Sequence, residues 1–377
     1  MAKCYVCDVE IVAENKSDEH ILLNCSGARL HSEELLCFTH NSAFGEKIDS
    51  ELCKQFGAVS NLMNIKRHRG SPIPFRAVGV KSGLRYDVHA GGKPVASKPE
   101  LKVLTDQDGK IEFRLKARST EEARNMLKGL KRKFPNLDID KAMATAQFGK
   151  EYLNEMVQMN IRFGGPMAYK SILKSLVGFF LIREGSKESV REVIPLISPD
   201  TVGEVPVGLF YDGNTLIQTP PSDVYHVIAV AGDPLLKRLV GYVEYFRCFK
   251  FLGLISNSYE GPKFESQYVY DPVVVKELPA ISLNWACAFQ AVEEAIRGER
   301  QGNDTISAEF GKVLPIVLKV MSANAINEIT ETLSKELKEK FKGEESLTVE
   351  MGEWLLARVL ELAETSGWTY MPLVHRT

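Results

Sequence analysis

Two pairs of possible metal ligands lie near the start of the sequence. Cys4 and Cys7 form the first pair, and Cys37 and His40 form the second, each with two residues between its members. This spacing lets one tight turn present two ligands to the same ion, and thiolate and imidazole are ligands that zinc prefers. Four such ligands complete a tetrahedron. The sequence therefore predicts a structural zinc that helps to fold a short N-terminal region.

A second set of polar residues lies between and beside these pairs. Glu19 and His20 precede an apolar Ile-Leu-Leu sequence, and Asn41 directly follows His40. A neutral imidazole can act as a general base near neutral pH, and carboxylate and amide oxygens suit a hard cation such as Mg²⁺. These residues have the chemistry needed to hydrolyse a phosphodiester, with His20 activating water and a cation holding the phosphate.

As a group, these motifs resemble the HNH (ββα-metal) endonucleases, and within them the zinc-stapled branch that includes endonuclease VII. The resemblance covers residues 1–70 and rests on Cys-x-x-Cys, Glu-His-Ile, Cys-x-x-His-Asn and Gly-x-x-Ile-Asp at 45–49. It implies a two-stranded hairpin followed by a helix, packed around a catalytic Mg²⁺ or Mn²⁺. By this resemblance, His20 is the general base, and Glu19 and Asn41 are ligands of the catalytic ion.

The sequence departs from the family pattern at two positions. His40 stands where the fourth zinc ligand is usually cysteine, which leaves a ligand set that still suits zinc. The position that is usually asparagine, and that orients the base, falls near Ser32, with His31 beside it. Asp49 lies one residue off the apolar stripe of the predicted motif helix. It is either a further metal-binding or orienting residue or a solvated acid.

Composition limits the other possibilities. The chain has 377 residues and a net charge of −2, so any contact with nucleic acid must come from local basic patches. Its seven cysteines indicate metal binding in a reducing compartment rather than a disulfide scaffold, and Cys25 and Cys53 are predicted to be small core residues. The start has no apolar signal core, and no apolar run is long enough for a membrane span. We therefore expect a cytoplasmic enzyme without membrane contact.

The pattern along the chain predicts an α+β protein with four segments. Residues 1–70 form the zinc-bound HNH module, and 71–138 form a small antiparallel sheet with a helix. Residues 139–283 form an α+β domain, and 284–377 form a helical C-terminal region.

Individual elements follow from hydrophobic periodicity and turn residues. Strands are predicted at 76–80, 84–88, 101–104, 111–115, 205–211, 224–230, 239–251 and 268–275. Helices are predicted at 42–56, 119–133, 285–297, 307–323, 325–341 and 349–363, together with a main buried helix that begins at Pro166.

Three groups of residues allow two interpretations each. The basic stretch 66–70 could contact phosphates or form a solvated loop. Lys170 and Lys174 lie beside the apolar stripe of the buried helix, where a solvated edge is favoured over a phosphate contact. The aromatic residues between 211 and 249 could stack on unpaired bases, although a sheet core is favoured.

The residues and the resemblance together predict a metal-dependent DNA endonuclease whose C-terminal region directs targeting or regulation. The resemblance suggests phage defence, restriction or a mobile element as the setting. DNA is the expected partner, RNA is left open, and the C-terminal helices could form a homodimer or bind a partner protein. The alternative is a zinc-knuckle adaptor that binds nucleic acid or protein without catalysis. Chemistry in the later segments is a weaker third hypothesis, since they contain no phosphate-binding loop, dinucleotide-binding motif or nucleophile elbow.

Overall fold

The computed structural model describes residues 2–70, 72–105, 111–144, 155–159, 163–183, 185–211, 216–300, 303–342, 346 and 348–365. Its strands are β1 (Glu19–His20), β2 (His31–Ser32), β3 (Phe75–Gly79), β4 (Arg85–His89), β5 (Lys93–Ala96), β6 (Glu100–Thr105), β7 (Ile111–Lys116), β8 (Val157–Gln158), β9 (Val207–Leu209), β10 (His226–Asp233), β11 (Arg238–Tyr245), β12 (Phe249–Ser256), β13 (Phe264–Asp271) and β14 (Lys276–Glu277). Its helices are α1 (Phe38–Phe44), α2 (Ser50–Leu62), α3 (Thr120–Lys131), α4 (Ile139–Ala144), α5 (Pro166–Ile182), α6 (Ile194–Ile197), α7 (Trp285–Ile296), α8 (Asn303–Lys340) and α9 (Val349–Thr365).

Helices and antiparallel sheets are mixed along the chain, which confirms the predicted α+β class. The chain divides into two compact units. The first combines Met1–Ile73 with Ile161–Met321, and the second combines Pro74–Asn160 with Ser322–Thr377. The four-segment division stays a prediction, and the structure groups the N-terminal segment with residues 161–321.

The first unit is built on a six-stranded antiparallel sheet of order β14-β13-β10-β11-β12-β9. Successive side chains of a strand point to opposite faces, and β10 follows this rule. Ile228 and Val230 join a buried cluster that contains α5, whereas Val227 and Ala229 join a second cluster that contains α7. The sheet is therefore covered by α5 on one face and by α7 on the other.

The N-terminal segment shares the core on the α5 side of this sheet. Ile21, Phe44 and Phe56 are no more than 2% exposed and belong to the same buried cluster as α5. A Cβ atom at Gly241 of β11 would clash with the Leu176 side chain of α5. The close approach of α5 to the sheet thus requires glycine at this position.

The second unit contains smaller antiparallel elements. A four-stranded sheet has the order β5-β4-β3-β8, and β6 and β7 form a separate hairpin. Ser119 caps α3, because its hydroxyl accepts a hydrogen bond from the Glu122 backbone N–H at 3.1 Å. Near the C-terminus, Arg358 of α9 donates a 2.7 Å hydrogen bond to Glu336 of α8.

Two element predictions were wrong. The single strand predicted over 239–251 is two strands, β11 and β12, joined by a turn in which Phe246 and Arg247 have φ values of 53° and 60°. No glycine or asparagine marks this turn, so the sequence offered no signal for it. The helices predicted at 307–323 and 325–341 form the single helix α8, since Ser-Ala-Asn at 322–324 contains no helix-breaking residue.

The aromatic residues of the sheet lie in its core. All six are buried, which supports packing as their role and removes them from any base-stacking surface: Tyr211, Tyr225, Tyr242, Tyr245, Phe246 and Phe249. Among the described helices, none combines the length and the apolar character needed to cross a bilayer.

His226 fastens the N-terminal segment to the sheet. Its ring is fully buried, its Nε2 lies 3.0 Å from the Ser26 carbonyl oxygen, and its Nδ1 accepts a 3.0 Å hydrogen bond from the Phe246 backbone N–H. Burial lowers the pKa of His226 to about 4.

This histidine makes stability depend on pH. Its folded-state pKa lies below the ordinary value of 6.5, so its contribution is complete above pH 6.5 and is lost as the pH falls through 4. We expect the wild-type free energy of unfolding to fall between pH 7 and 4 by up to about 3 kcal/mol more than that of His226→Gln. Urea denaturation at a series of pH values measures this difference. His89→Gln, at an exposed histidine of β4, should retain the wild-type slope, and parallel curves for wild type and His226→Gln would contradict the assignment.

Candidate active site

The two predicted ligand pairs meet in space. The ligand atoms of Cys4, Cys7, Cys37 and His40 all lie within 4.8 Å of one another. His40 Nδ1 is 3.7 Å from Cys4 Sγ and 3.3 Å from Cys37 Sγ. Zinc bonds of about 2.0–2.3 Å in a tetrahedron give separations of this size. The cluster therefore fits a zinc site with the ligands that the sequence predicted.

Local backbone structure presents these ligands. The Asp8 N–H donates a 2.9 Å hydrogen bond to the Cys4 carbonyl, which closes a tight turn around the first pair. Cys37 is the N-cap residue of α1, so His40 lies within the first helical turn. Burial raises the pKa of the Cys4 thiol, but hydrogen bonds from backbone N–H groups, among them that of Cys37, outweigh burial and lower it. A lowered thiol pKa favours the thiolate that zinc binds.

The short hairpin β1–β2 directs the two side chains of the Glu-His motif to opposite sides. Glu19 pairs with Ser32 and His20 pairs with His31 in the antiparallel register. Because neighbouring residues of a strand face opposite sides, Glu19 points into the protein and is 3% exposed. His20 lies on the other side of the hairpin and is partly exposed.

Glu19 belongs to a buried ionic network with α5. The Lys174 ammonium lies 2.5 Å from Glu19 Oε1 and 2.6 Å from Asp49 Oδ2. The Ser171 hydroxyl donates a 2.6 Å hydrogen bond to the other oxygen of Asp49. Burial raises the pKa of Glu19 to about 7 despite the attraction of Lys174. The network neutralises Lys174 inside the protein. It also ties the β1–β2 hairpin and Asp49, which lies between α1 and α2, to α5.

The structure corrects the expectations for three residues of this region. The solvated-edge interpretation of Lys170 and Lys174 was wrong, since the two residues are 3% and 1% exposed. Lys170 donates hydrogen bonds to the backbone carbonyls of Ser198 and Thr201 at 2.5 and 2.7 Å. Asp49 is not a solvated acid, because it is held by α5. A lysine within an apolar helix can be buried when carboxylates from a distant segment compensate its charge.

His20 takes part in a second cluster on the outer side of the hairpin. One ligand atom from each of Asp18, His20 and His68 lies within 4.8 Å of the other two. Asp18 Oδ1 lies 2.5 Å from His31 Nδ1, and its Oδ2 accepts a 2.6 Å hydrogen bond from Arg69. Burial lowers the pKa of His20 to about 4. At neutral pH its imidazole is therefore uncharged and able to accept a proton.

The predicted catalytic residues thus lie in three different surroundings. His20 is in the Asp18 cluster, and Glu19 is in the Lys174 network. The Asn41 side-chain amide donates a 2.7 Å hydrogen bond to the Ser17 hydroxyl, which leaves its carbonyl oxygen to accept other contacts. The catalytic-ion ligands predicted from the resemblance, Glu19 and Asn41, stay predictions.

Sequence reasoning missed Asp18 and His68 as members of the cluster. Asp18 directly precedes the Glu-His motif, so its neighbourhood was visible in the sequence. His68 lies 48 residues after His20, in the basic stretch 66–70, and its Nδ1 is 3.3 Å from His20 Nε2. This stretch folds back onto the hairpin, which the sequence could not show.

The expectation that the cysteines serve metal binding rather than disulfides was wrong for Cys25 and Cys53. They form a disulfide, with their Cα atoms 5.8 Å apart. Their packing role was predicted correctly, because Cys25 is buried and Cys53 packs against the same core. A pairing across 28 residues leaves no signature in the spacing alone.

Comparison with known proteins defines the class of this site. Residues 4–57 match the family described as HNH endonuclease, so an HNH endonuclease domain occupies the segment that contains the four zinc ligands, Asp18 and His20, whereas His68 follows that segment. Neither the search of curated proteins nor the search of solved structures found a match for the chain.

The zinc site gives a first test. Cys37→Ser should reduce the zinc content of the purified protein from about one ion per chain to nearly none, since three ligands hold the ion poorly. The midpoint of thermal unfolding should fall because zinc binding is coupled to folding of this segment. Elemental analysis and calorimetry measure both. Cys287→Ser, outside the cluster, is the matched control, and undiminished zinc in Cys37→Ser would refute the site.

The buried network gives a second test. Lys174→Met should lower the free energy of unfolding by about 3–5 kcal/mol, because it leaves Glu19 and Asp49 without a buried counter-ion. Lys170→Met is the matched control one helical turn earlier, and should cost only about 1–2 kcal/mol, because its partners are uncharged carbonyls. Urea denaturation followed by circular dichroism compares the two. Equal losses would show that the Lys174 ion pairs add nothing specific.

Proposed function

We propose that this protein is a metal-dependent endonuclease that hydrolyses DNA phosphodiester bonds with His20 as general base. The observation that carries the proposal is the position of the His20 imidazole beside Asp18 and His68, on a hairpin within residues 4–57 that match the HNH endonuclease family. An HNH endonuclease domain implies nuclease activity with DNA as the substrate.

His20 accepts the proton of the attacking water in this proposal. Its low pKa keeps it neutral before the reaction, and proton transfer to it would be typical of general-base catalysis. Asp18 Oδ1 lies 2.5 Å from His31 Nδ1, and His31 faces His20 across the hairpin. His31 therefore stands close to the position where the family pattern has its orienting residue.

The donor set supports a divalent cation beside His20. Asp18 offers a carboxylate oxygen and His68 an imidazole nitrogen, a mixed set that Mn²⁺ accepts more readily than Mg²⁺ does. When bound, the cation would polarise the phosphate and stabilise the leaving oxygen. We retain Glu19 and Asn41 as predicted ligands, although Glu19 would first have to leave Lys174.

Basic residues beside the cluster suit a nucleic-acid backbone. Arg69 is exposed next to Asp18, and Arg29 donates hydrogen bonds to the carbonyls of Lys66 and Arg67 at 3.3 Å. Arg29 thus holds the basic stretch 66–70 against the hairpin. Phosphate contacts from this stretch would position the strand without reading its sequence.

The wider setting follows only from the resemblance. The proposal includes a likeness to endonuclease VII and a role in phage defence, restriction or a mobile element. It also includes targeting or regulation by the remaining chain. The alternative function is a zinc-knuckle adaptor that binds nucleic acid or protein without cleaving it.

Plasmid cleavage tests the proposal. The full-length protein should nick supercoiled plasmid with Mn²⁺ or Mg²⁺ but not with EDTA. His20→Ala should reduce the rate at least about 100-fold, since general-base catalysis contributes about 10²–10⁴, and should leave DNA binding and thermal stability unchanged. His89→Ala is the matched control. DNA binding without cleavage by wild type, or equal cleavage by His20→Ala, would favour the adaptor.

Metal binding distinguishes the two ligand sets without requiring activity. Mn²⁺ binding, followed by electron paramagnetic resonance and titration calorimetry, should weaken at least about tenfold in Asp18→Asn and in His68→Ala. Glu19→Gln and Asn41→Ala should match wild type if the Asp18 cluster alone holds the ion. The reverse pattern would assign the ion to Glu19 and Asn41.

A further inference from the structure

A second polar site lies in the first unit, away from the residues assigned to nuclease chemistry. A cavity of about 230 Å³ is lined by residues of β11 and β12, by the turn between them and by residues 305–313 of α8. The same residue types that surround charged ligands are present here. Buried tyrosines, carboxylates and basic side chains all face the cavity.

The floor of the cavity is a buried carboxylate. Glu244 of β11 is 1% exposed. Its two oxygens accept hydrogen bonds from the hydroxyls of Tyr242 at 2.8 Å and Tyr225 at 3.4 Å. Glu244 is therefore satisfied by uncharged donors, which leaves the cationic groups of the cavity available for other partners.

A second carboxylate forms ion pairs with two of the three cationic side chains that line the cavity. Glu309 of α8 lies 2.6 Å from the Lys250 ammonium and 2.5 Å from the Lys312 ammonium. The described lining contains three cationic side chains and two anionic ones. The third cation is Arg247, and among the described residues no carboxylate or carbonyl accepts a hydrogen bond from its guanidinium.

The backbone holds Arg247 in a costly conformation. Arg247 and Phe246 both have positive φ, and the Cys248 N–H donates a 3.1 Å hydrogen bond to the Tyr245 carbonyl across the turn. Non-glycine residues in this region of φ cost of order 1 kcal/mol each. The strained turn places Phe246 in the core and Arg247 at the cavity. Such strain is often found where a side chain must be presented to a ligand.

We propose that this cavity binds a small organic anion through the guanidinium of Arg247, with its carboxylate or phosphate group as the recognised feature. Arginine presents several N–H donors in a planar fork that matches both groups. At about 30 Å³ per water molecule, the cavity holds roughly eight waters. That volume suits a metabolite and excludes a nucleic-acid strand. The proposal does not depend on nuclease activity.

Titration calorimetry of the full-length protein tests it with three probes at constant ionic strength: inorganic phosphate, citrate and AMP. At least one should bind with a dissociation constant of 1 mM or below, as an order of magnitude for a single charged anchor. Binding of phosphate and AMP but not of citrate would identify a phosphate ligand. Binding of citrate alone would identify a carboxylate ligand. Absence of binding by all three would overturn the proposal.

Variants assign any binding to the cavity. Arg247→Asn removes the charge, and asparagine tolerates positive φ, so the fold should be kept and the dissociation constant should rise at least about tenfold. Arg247→Lys retains a positive charge, so its dissociation constant should lie between those of wild type and Arg247→Asn. Arg191→Gln, at an exposed arginine outside the cavity, is the matched control. Equal affinity in Arg247→Asn and wild type would overturn the proposal.

Discussion

One buried ammonium group holds the N-terminal segment in place. Lys174 of α5 lies between Glu19 of the β1–β2 hairpin and Asp49, which lies between α1 and α2. A single buried charge is strongly unfavourable, and two carboxylates with one ammonium still leave an excess negative charge. The raised pKa of Glu19 reduces this excess by favouring a proton on the carboxyl group. The β1–β2 hairpin, the segment around Asp49 and α5 must therefore assemble together.

The alternation of side chains along β1 divides structural from chemical roles. Glu19 faces inward and stabilises the assembly, whereas His20 faces the outer cluster with Asp18 and His68. The four predicted zinc ligands lie before and after this hairpin in the chain. The Glu19–Lys174 ion pair thus holds the strand that carries His20, which suits a residue that the proposed mechanism requires to stay in a defined position.

The sequence predicted what depends on local spacing. The zinc ligands lie in two short motifs, and the start of α5 at Pro166 is also a local feature. Distant partners were missed: Lys174 looked like a solvated edge because Asp49 lies 125 residues away in the chain. His68 and the Cys25–Cys53 bond were missed for the same reason. The β11–β12 turn was missed because non-glycine residues occupy it.

The shared core has a consequence for how this nuclease segment can be inherited or engineered. A fragment ending near residue 57 would keep the zinc ligands and the histidine but would lose the counter-ion of its two acids. It would also expose Ile21, Phe44 and Phe56 to solvent. The smallest transferable unit must therefore include α5 and the sheet beneath it. In this protein the boundary of the motif is not the boundary of a foldable piece.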